Sequence, residues 1–262
     1  MKVRARRTKM KETVLIKLGG SVITDKSGDC AVHIENIEHI SRIISNHPDI
    51  QFIIVHGAGS CGHPEAKRHH LDKGLDPYNK SGIFITHSAV VTLNTAVVNA
   101  LRANGVEAVG IHPLDACTAK NGRLESFSHQ PVEMLVRHGI VPILHGDVVM
   151  DSVRGACIVS GDQLVREIPG RIPVNRIGLA TDVAGVLCQG KVVPLINRET
   201  MADIEIGESD NTDVTGGMIG KLTELLRLSD EGTESTIFHL SRLDDYLDGR
   251  EHGGTVVTAN RV

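Results

Sequence analysis

The apolar positions of this chain fall into two recurring patterns. Short runs rich in Val and Ile at residues 14–18, 52–55, 108–111, 140–144, 176–180 and 236–240 have the length and β-branched content of strands covered on both faces. Between them, Ile34, Ile37, Ile40 and Ile44 recur at three- and four-residue spacing over 34–45, and Val90, Leu93, Val97 and Leu101 do the same over 88–103. That spacing predicts two amphipathic helices. Strands alternating with helices predict βα units around a mainly parallel sheet, an α/β fold. A hairpin is expected at 186–193 around Gln189-Gly190, and a closing strand at 255–258 after Gly253-Gly254. Pro169, Gly170 and Pro173 cluster just after 161–168 and mark a boundary between two lobes, 13–169 and 170–262.

Composition narrows the function classes. At about 150 residues per domain, 262 residues make one large α/β unit or two fused lobes. With 40% hydrophobic residues, 23% charged residues and a net charge of -4, nothing calls for nucleic acid or an anionic membrane as partner. Aromatic content of 2% with no Trp leaves the core to aliphatic side chains and few platforms for stacking bases. The longest apolar runs are strand length, far short of the ~20 residues that span a bilayer, so no membrane partner is expected. Five cysteines, Cys30, Cys61, Cys117, Cys157 and Cys188, stand singly with no CxxC pair, which predicts reduced thiols and a cytoplasmic setting. Residues 1–12 carry Lys2, Arg4, Arg6, Arg7, Lys9 and Lys11 with no apolar stretch behind them. They read as a frayed, solvated basic tail rather than a secretory leader.

The chemistry concentrates in glycine turns at strand ends. Lys17-Leu18-Gly19-Gly20-Ser21 follows the first strand, His56-Gly57-Ala58-Gly59-Ser60-Cys61-Gly62-His63 the second, and Gly146-Asp147 the strand at 140–144. In an open parallel sheet the carboxyl ends of the strands bind ligands, and a residue without Cβ lets backbone N–H groups approach phosphate oxygens. No GxGxxG opens a helix, and Thr215 stands where a Walker loop needs its first glycine before Gly216-Gly217-Met218-Ile219-Gly220-Lys221. A nucleotide site here is therefore of another design. Thr212 to Lys221 still precedes an amphipathic stretch with Leu222, Leu225 and Leu226, which would aim free N–H groups at an anion.

With Thr24-Asp25-Lys26, Ser160-Gly161-Asp162, Thr181-Asp182-Val183-Ala184-Gly185-Val186 and Asp213-Val214-Thr215-Gly216-Gly217 added in order, the chain resembles the amino-acid kinase superfamily. Gly62-His63 makes it similar, within that superfamily, to the isopentenyl phosphate kinases; fosfomycin kinases share the histidine. Ala58 replaces a common third glycine and Cys61 a common aromatic residue.

The resemblance implies an open αβα sandwich with a mainly parallel central sheet and two lobes, an acceptor lobe over 13–169 and a nucleotide lobe over 170–262. It implies transfer of a phosphoryl group from ATP, with Mg2+, to isopentenyl phosphate, and a cytoplasmic homodimer. By the same carry-over Lys17 and Lys221 hold the transferring phosphoryl, Lys26 stabilises transition-state charge, Asp162 orients the lysines, and His63 donates to the acceptor phosphate. Lys17, Gly19, Gly20, Ser21, Gly59, Asp182, Val183, Gly185, Gly217 and Lys221 would border ATP. Gly57, Ala58, Gly62, His63 and Gly146 would border the acceptor. Ile83 and Ile85, with Phe84 and Val90, are the expected apolar wall for its tail. No protein-held metal is expected, because His69-His70 and His33 with His39 lack a ligand pattern.

Three alternatives follow from the same residues. A phosphonate antibiotic kinase would use the same lysines and histidine on a small polar acceptor. A non-catalytic ligand sensor would need no lysines aimed at a transition state. A serine hydrolase would use the GxSxG-like turn at Ser60 with Asp182 and His239.

Overall fold

The computed structural model describes residues 11–25, 30–201 and 217–259. Its main sheet contains β1 (Glu12–Leu18), β2 (Ile50–His56), β3 (Ala108–Gly110), β6 (Val141–His145), β9 (Arg176–Thr181), β12 (Leu195–Ile196), β13 (Ser235–His239) and β14 (Thr255–Val257). A four-stranded sheet is built from β4 (Cys117–Lys120), β5 (Arg123–Phe127), β7 (Asp147–Asp151) and β8 (Gly155–Val159), and a small hairpin from β10 (Leu187–Cys188) and β11 (Lys191–Val192). The helices are α1 (Gly20–Ile23), α2 (Ile34–Ser45), α3 (Gly59–Arg68), α4 (Ser81–Ala103), α5 (Pro113–Ala116), α6 (Gln130–Arg137), α7 (Gly161–Glu167), α8 (Arg198–Met201), α9 (Gly217–Asp230) and α10 (Leu243–Leu247).

The eight strands run in the order β12-β14-β13-β9-β1-β2-β6-β3, all neighbours parallel except β13 and β14. Chain order reverses at β1: β2, β6 and β3 lie to one side, β9 and the later strands to the other. In such sheets the crevice at the reversal is the ligand site. The two outermost strands are short, three residues in β3 and two in β12. Both faces are covered, as a parallel sheet requires. Val14, Ile16 and Leu18 point into one core layer with Ile37 of α2, Leu93 of α4 and Leu243 of α10. Leu15 points into the other with Val132 of α6, Leu164 of α7 and Leu225 of α9. Strand alternation puts Lys17 on the same face as Leu15, beneath α7 and α9.

All six predicted strands are present in this sheet, and the chain forms the expected mainly parallel αβα sandwich. The hairpin, the closing strand and α2 lie where the pattern placed them. Four expectations need correction. Glu12 belongs to β1, where it pairs with Arg176, rather than to a tail; residues 1–10 lie outside the described residues. The second predicted helix starts at Ser81, not Ser88. By length and composition α4 is apolar enough to cross a membrane. Its buried stripe of Val90, Leu93, Val97 and Leu101 instead packs inside the sandwich, with buried Asn94 at its centre. Finally, Cys30 and Cys61 form a disulfide, while Cys117, Cys157 and Cys188 are free thiols. The reading from single, scattered cysteines fails because partners 31 residues apart are brought together only by the fold.

Candidate active site

Because β1, β2, β6 and β9 are parallel neighbours, the loops that leave their carboxyl ends share one edge. Contact between the first two glycine loops is tight enough to require glycine. A Cβ on Gly20 would lie 2.6 Å from the Gly59 Cα, and one on Gly57 would lie 2.8 Å from the Gly20 nitrogen. Gly59 has φ +52°, and a Cβ there would collide with Thr24 Oγ1. This leaves backbone rather than side chain at the meeting point of the two loops. The first loop is also tied to β9, through Gly19 N–H donating to the Ala180 carbonyl at 2.9 Å. Gly19, Gly20 and Ser21 therefore sit beside the loop carrying Asp182, Val183 and Gly185. That loop is pinned by Thr181 Oγ1 donating to the Val183 carbonyl at 2.8 Å and by Val186 N–H donating to Thr255 Oγ1 at 2.8 Å.

Three charged side chains converge on this edge. Lys17 Nζ donates to Asp162 Oδ1 at 2.6 Å, and Lys221 Nζ lies 3.8 Å from the same oxygen. Asp162 is placed by the first turn of α7, where Ser160 caps the helix by accepting from Gln163 N–H at 3.2 Å. Burial would raise the Asp162 carboxyl, but Lys17 and Lys221 outweigh it and hold the group below its usual value, with His63 contributing to the same side. Burial pushes the Lys17 ammonium down to about 8; Asp162 raises it and Lys221 lowers it further. Two lysines on one carboxylate give the site a surplus of positive charge, and Asp162 orients both.

Gly161 packs against Lys17, since a Cβ on it would lie 3.4 Å from Lys17 Cε, and Gly146 packs against Gly161. His63 sits one turn into α3, half-buried. Gly62 fits under α4 with no room for a side chain: a Cβ would be 2.6 Å from both Ala58 Cβ and Val90 Cγ2. Gly217 opens α9, so Lys221 is one turn in. Lys26 and the stretch 213–216 lie outside the described residues. Of the predicted tail wall, Ile83 packs beside a small buried cluster of Leu71, Val148 and Ala156, together with Leu75 and Ile158. Ile85 and Phe84 need correction: they face outward, 36% and 73% exposed, because consecutive helix positions point in different directions.

The hydrolase alternative fails on geometry. Ser60 Oγ is buried with no hydrogen-bond partner among the described residues, and His239 Nδ1 is engaged with Ser241 Oγ at 2.9 Å. A general base must reach its nucleophile. Elsewhere, His47, Asp244 and Asp248 lie close enough to share a cation, but Arg250 pairs with both aspartates. Single-residue reading missed the histidines behind the loops, buried His56 and His145 and half-buried His112, together with buried Asn94. The available signal was His-Gly twice at the end of a strand, His56-Gly57 and His145-Gly146.

A mainly parallel αβα sandwich with glycine loops and paired lysines at its topological switch defines a class, and the amino acid kinase family model matches residues 12–239. The chain belongs to the amino acid kinase family. Within it, the chain is 35% identical to an isopentenyl phosphate kinase of Methanothermobacter thermautotrophicus, covering 94% of this chain and 98% of that one. It is 36% identical to an isopentenyl phosphate kinase of Haloferax volcanii, with 93% and 98% covered. An X-ray structure of an isopentenyl phosphate kinase superposes with a TM-score of 0.83 at 31% identity, covering 94% of this chain and 100% of that one.

Proposed function

We propose that this chain transfers the γ-phosphoryl group of ATP to isopentenyl phosphate, giving isopentenyl diphosphate and ADP. The observation that carries the reading is the pair Lys17 and Lys221 on a single buried carboxylate, Asp162, at the sheet edge where the glycine loops meet. A phosphate monoester has a second pKa near 6, so its attacking oxygen is already ionised at neutral pH and needs no general base. The obstacle is repulsion between two polyanions, about 4 kcal/mol per pair of unit charges at 4 Å and an effective dielectric of 20. Catalysis is then positioning and charge stabilisation. Lys17 and Lys221 meet the transferring phosphoryl, Asp162 keeps the two ammonium groups aimed, and the N–H groups of Ala58 and Gly59 line the phosphates, the Gly57 N–H being taken by the Leu18 carbonyl. Lys26 adds a further cation by family resemblance. His63 donates to the acceptor phosphate, whose charge raises its pKa and keeps it protonated.

Asp182, Val183 and Gly185 border the nucleotide, with 170–262 as the nucleotide lobe and 13–169 as the acceptor lobe; β1 and β9 join the two in one sheet. At the junction the Asp162 carboxylate is taken up by Lys17 and Lys221, which fits an Mg2+ ion carried on the phosphates of ATP rather than held by the chain. When bound, it supplies further positive charge there. Leu71, Leu75, Ile83, Val148 and Ile158 would wall the five-carbon tail, at about 0.8 kcal/mol per CH2 buried. The curated relatives' names favour this acceptor over a phosphonate. A homodimer and a cytoplasmic setting follow from family resemblance.

ADP release is the deciding measurement. With ATP and Mg2+, isopentenyl phosphate should give turnover, and fosfomycin, glutamate and uridylate should give background. Turnover only with fosfomycin would move the chain to the phosphonate kinases, and background with all four would reject the reading.

A further inference from the structure

Behind the glycine loops lies a row of buried histidines. His56 ends β2 and His145 ends β6; both are fully buried, and their rings stack with centroids 5.4 Å apart. Each precedes a glycine, and each ring donates to that glycine's carbonyl: His56 Nδ1 to Gly57 at 2.9 Å and His145 Nδ1 to Gly146 at 3.1 Å. A carbonyl only accepts, so both Nδ1 atoms carry the proton. The second nitrogen of each ring is also engaged. Asn94 Nδ2 donates to His56 Nε2 at 3.1 Å and to the Ile143 carbonyl at 3.1 Å. His112 Nδ1 lies 2.9 Å from His145 Nε2.

Burial pushes His56 down to about 4 and His145 well below its ordinary value, so both rings are neutral and both Nε2 atoms accept. His112 must then donate through Nδ1. The charged groups around His112 are His87, Asp147 and Asp115, and His87 Nδ1 donates to Asp147 Oδ2 at 2.9 Å. The two donor chains end at different peptides, one in each loop, and a backbone bond ties them together. His112 holds His145, which holds the Gly146 carbonyl; Gly146 N–H in turn donates to the His56 carbonyl at 3.0 Å, and the His56 ring holds the Gly57 carbonyl. In a trans peptide the C=O and the next N–H point in opposite directions. Fixing the Gly57 carbonyl toward His56 therefore fixes the Ala58 N–H away from it.

We propose that His56 and His145, braced by Asn94 and His112, are positioning residues for phosphoryl transfer. As an Nδ1–H tautomer His56 sets the Gly57–Ala58 peptide so that its N–H faces the phosphates, and His145, stacked on His56 and tied to it through the Gly146 N–H, holds the His56 end of the loop in place. This rests on the reading of that loop as phosphate-binding.

Two measurements separate the parts. Long-range 1H–15N correlation spectra of the ligand-free protein, assigned through His56→Asn, His145→Asn and His112→Asn, should show His56 and His145 protonated at Nδ1 alone from about pH 6 to 8, and His112 carrying its proton on Nδ1 when neutral. An Nε2–H tautomer, or titration of His56 or His145 in that range, overturns the proposal whatever the enzyme's acceptor. Asparagine places its amide where Nδ1 was and glutamine where Nε2 was. His56→Asn should therefore keep kcat within about threefold, while His56→Gln loses about tenfold or more at similar Tm and ATP KM. Equal activity of the two variants, or losses that simply follow Tm, overturn the positioning role. A wild type with these tautomers but no isopentenyl phosphate turnover overturns the functional reading and that role with it, leaving the tautomers established.

Discussion

A buried lysine beside a second lysine has reason to give up its proton, and Lys17 is in that position. With its pKa lowered to about 8 by burial, partly restored by Asp162, it is mostly charged at neutral pH and mostly neutral one unit above 8. Because kcat/KM reports the free enzyme, kcat/KM for ATP should fall as pH rises through about 8. In the ternary complex the phosphates favour the ammonium form, so kcat should fall only at higher pH. Asp162→Asn removes the group that raises Lys17, and the kcat/KM transition should move to lower pH. A kcat/KM flat beyond pH 9 would exclude Lys17 as the titrating cation. Lys17, Lys221 and Asp162 were legible in the sequence because each stands in a dense local motif. The histidine row was not: His56, His112 and His145 are far apart along the chain, and only the pairing of β2 with β6 brings two of them together.

At the scale of elements, α3 is held from two sides. The Cys30–Cys61 bond links it to the segment before α2, across a sequence separation of 31. Loop-closure entropy for that separation amounts to about 3–4 kcal/mol. Urea unfolding with and without a phosphine reductant should differ by about that amount, and the difference should vanish in Cys30→Ser; an unchanged midpoint would mean that the bond adds no stability. On its other side, Gly62 meets α4. Gly62→Ala should destabilise by about 1–3 kcal/mol and raise acceptor KM as His63 shifts, and Val90→Ala in the same chain should recover part of both. A Gly62→Ala variant with wild-type stability and kinetics would show that the two helices part without consequence. The strands of the main sheet other than the two-residue β12 were readable because double burial demands unbroken Val and Ile. The hairpin strands β4 and β5, CTAK and RLESF, were not, since each is short and half polar. The first two turns of α4 were missed because Ser81-Gly82 begins them and the apolar stripe is regular only from Val90.

Across the whole molecule, one sheet carries both halves, with the reversal at β1 between the strands that bear the two proposed ligand sites. Ligands bound on each side should therefore stabilise a single cooperative unit. At about 100 Kd each should contribute about 2.7 kcal/mol, or roughly 5–10 °C in Tm. A non-hydrolysable ATP analogue and isopentenyl phosphate together should shift one transition further than either alone; two transitions that respond separately would mean independent lobes. The terminal strands β3 and β12 have a different consequence. Three and two residues of ladder offer a passing chain too few unsatisfied amides to dock against. The main sheet thus offers little template for the edge-to-edge zippering that seeds fibrils, and lengthening either of its border strands would create one.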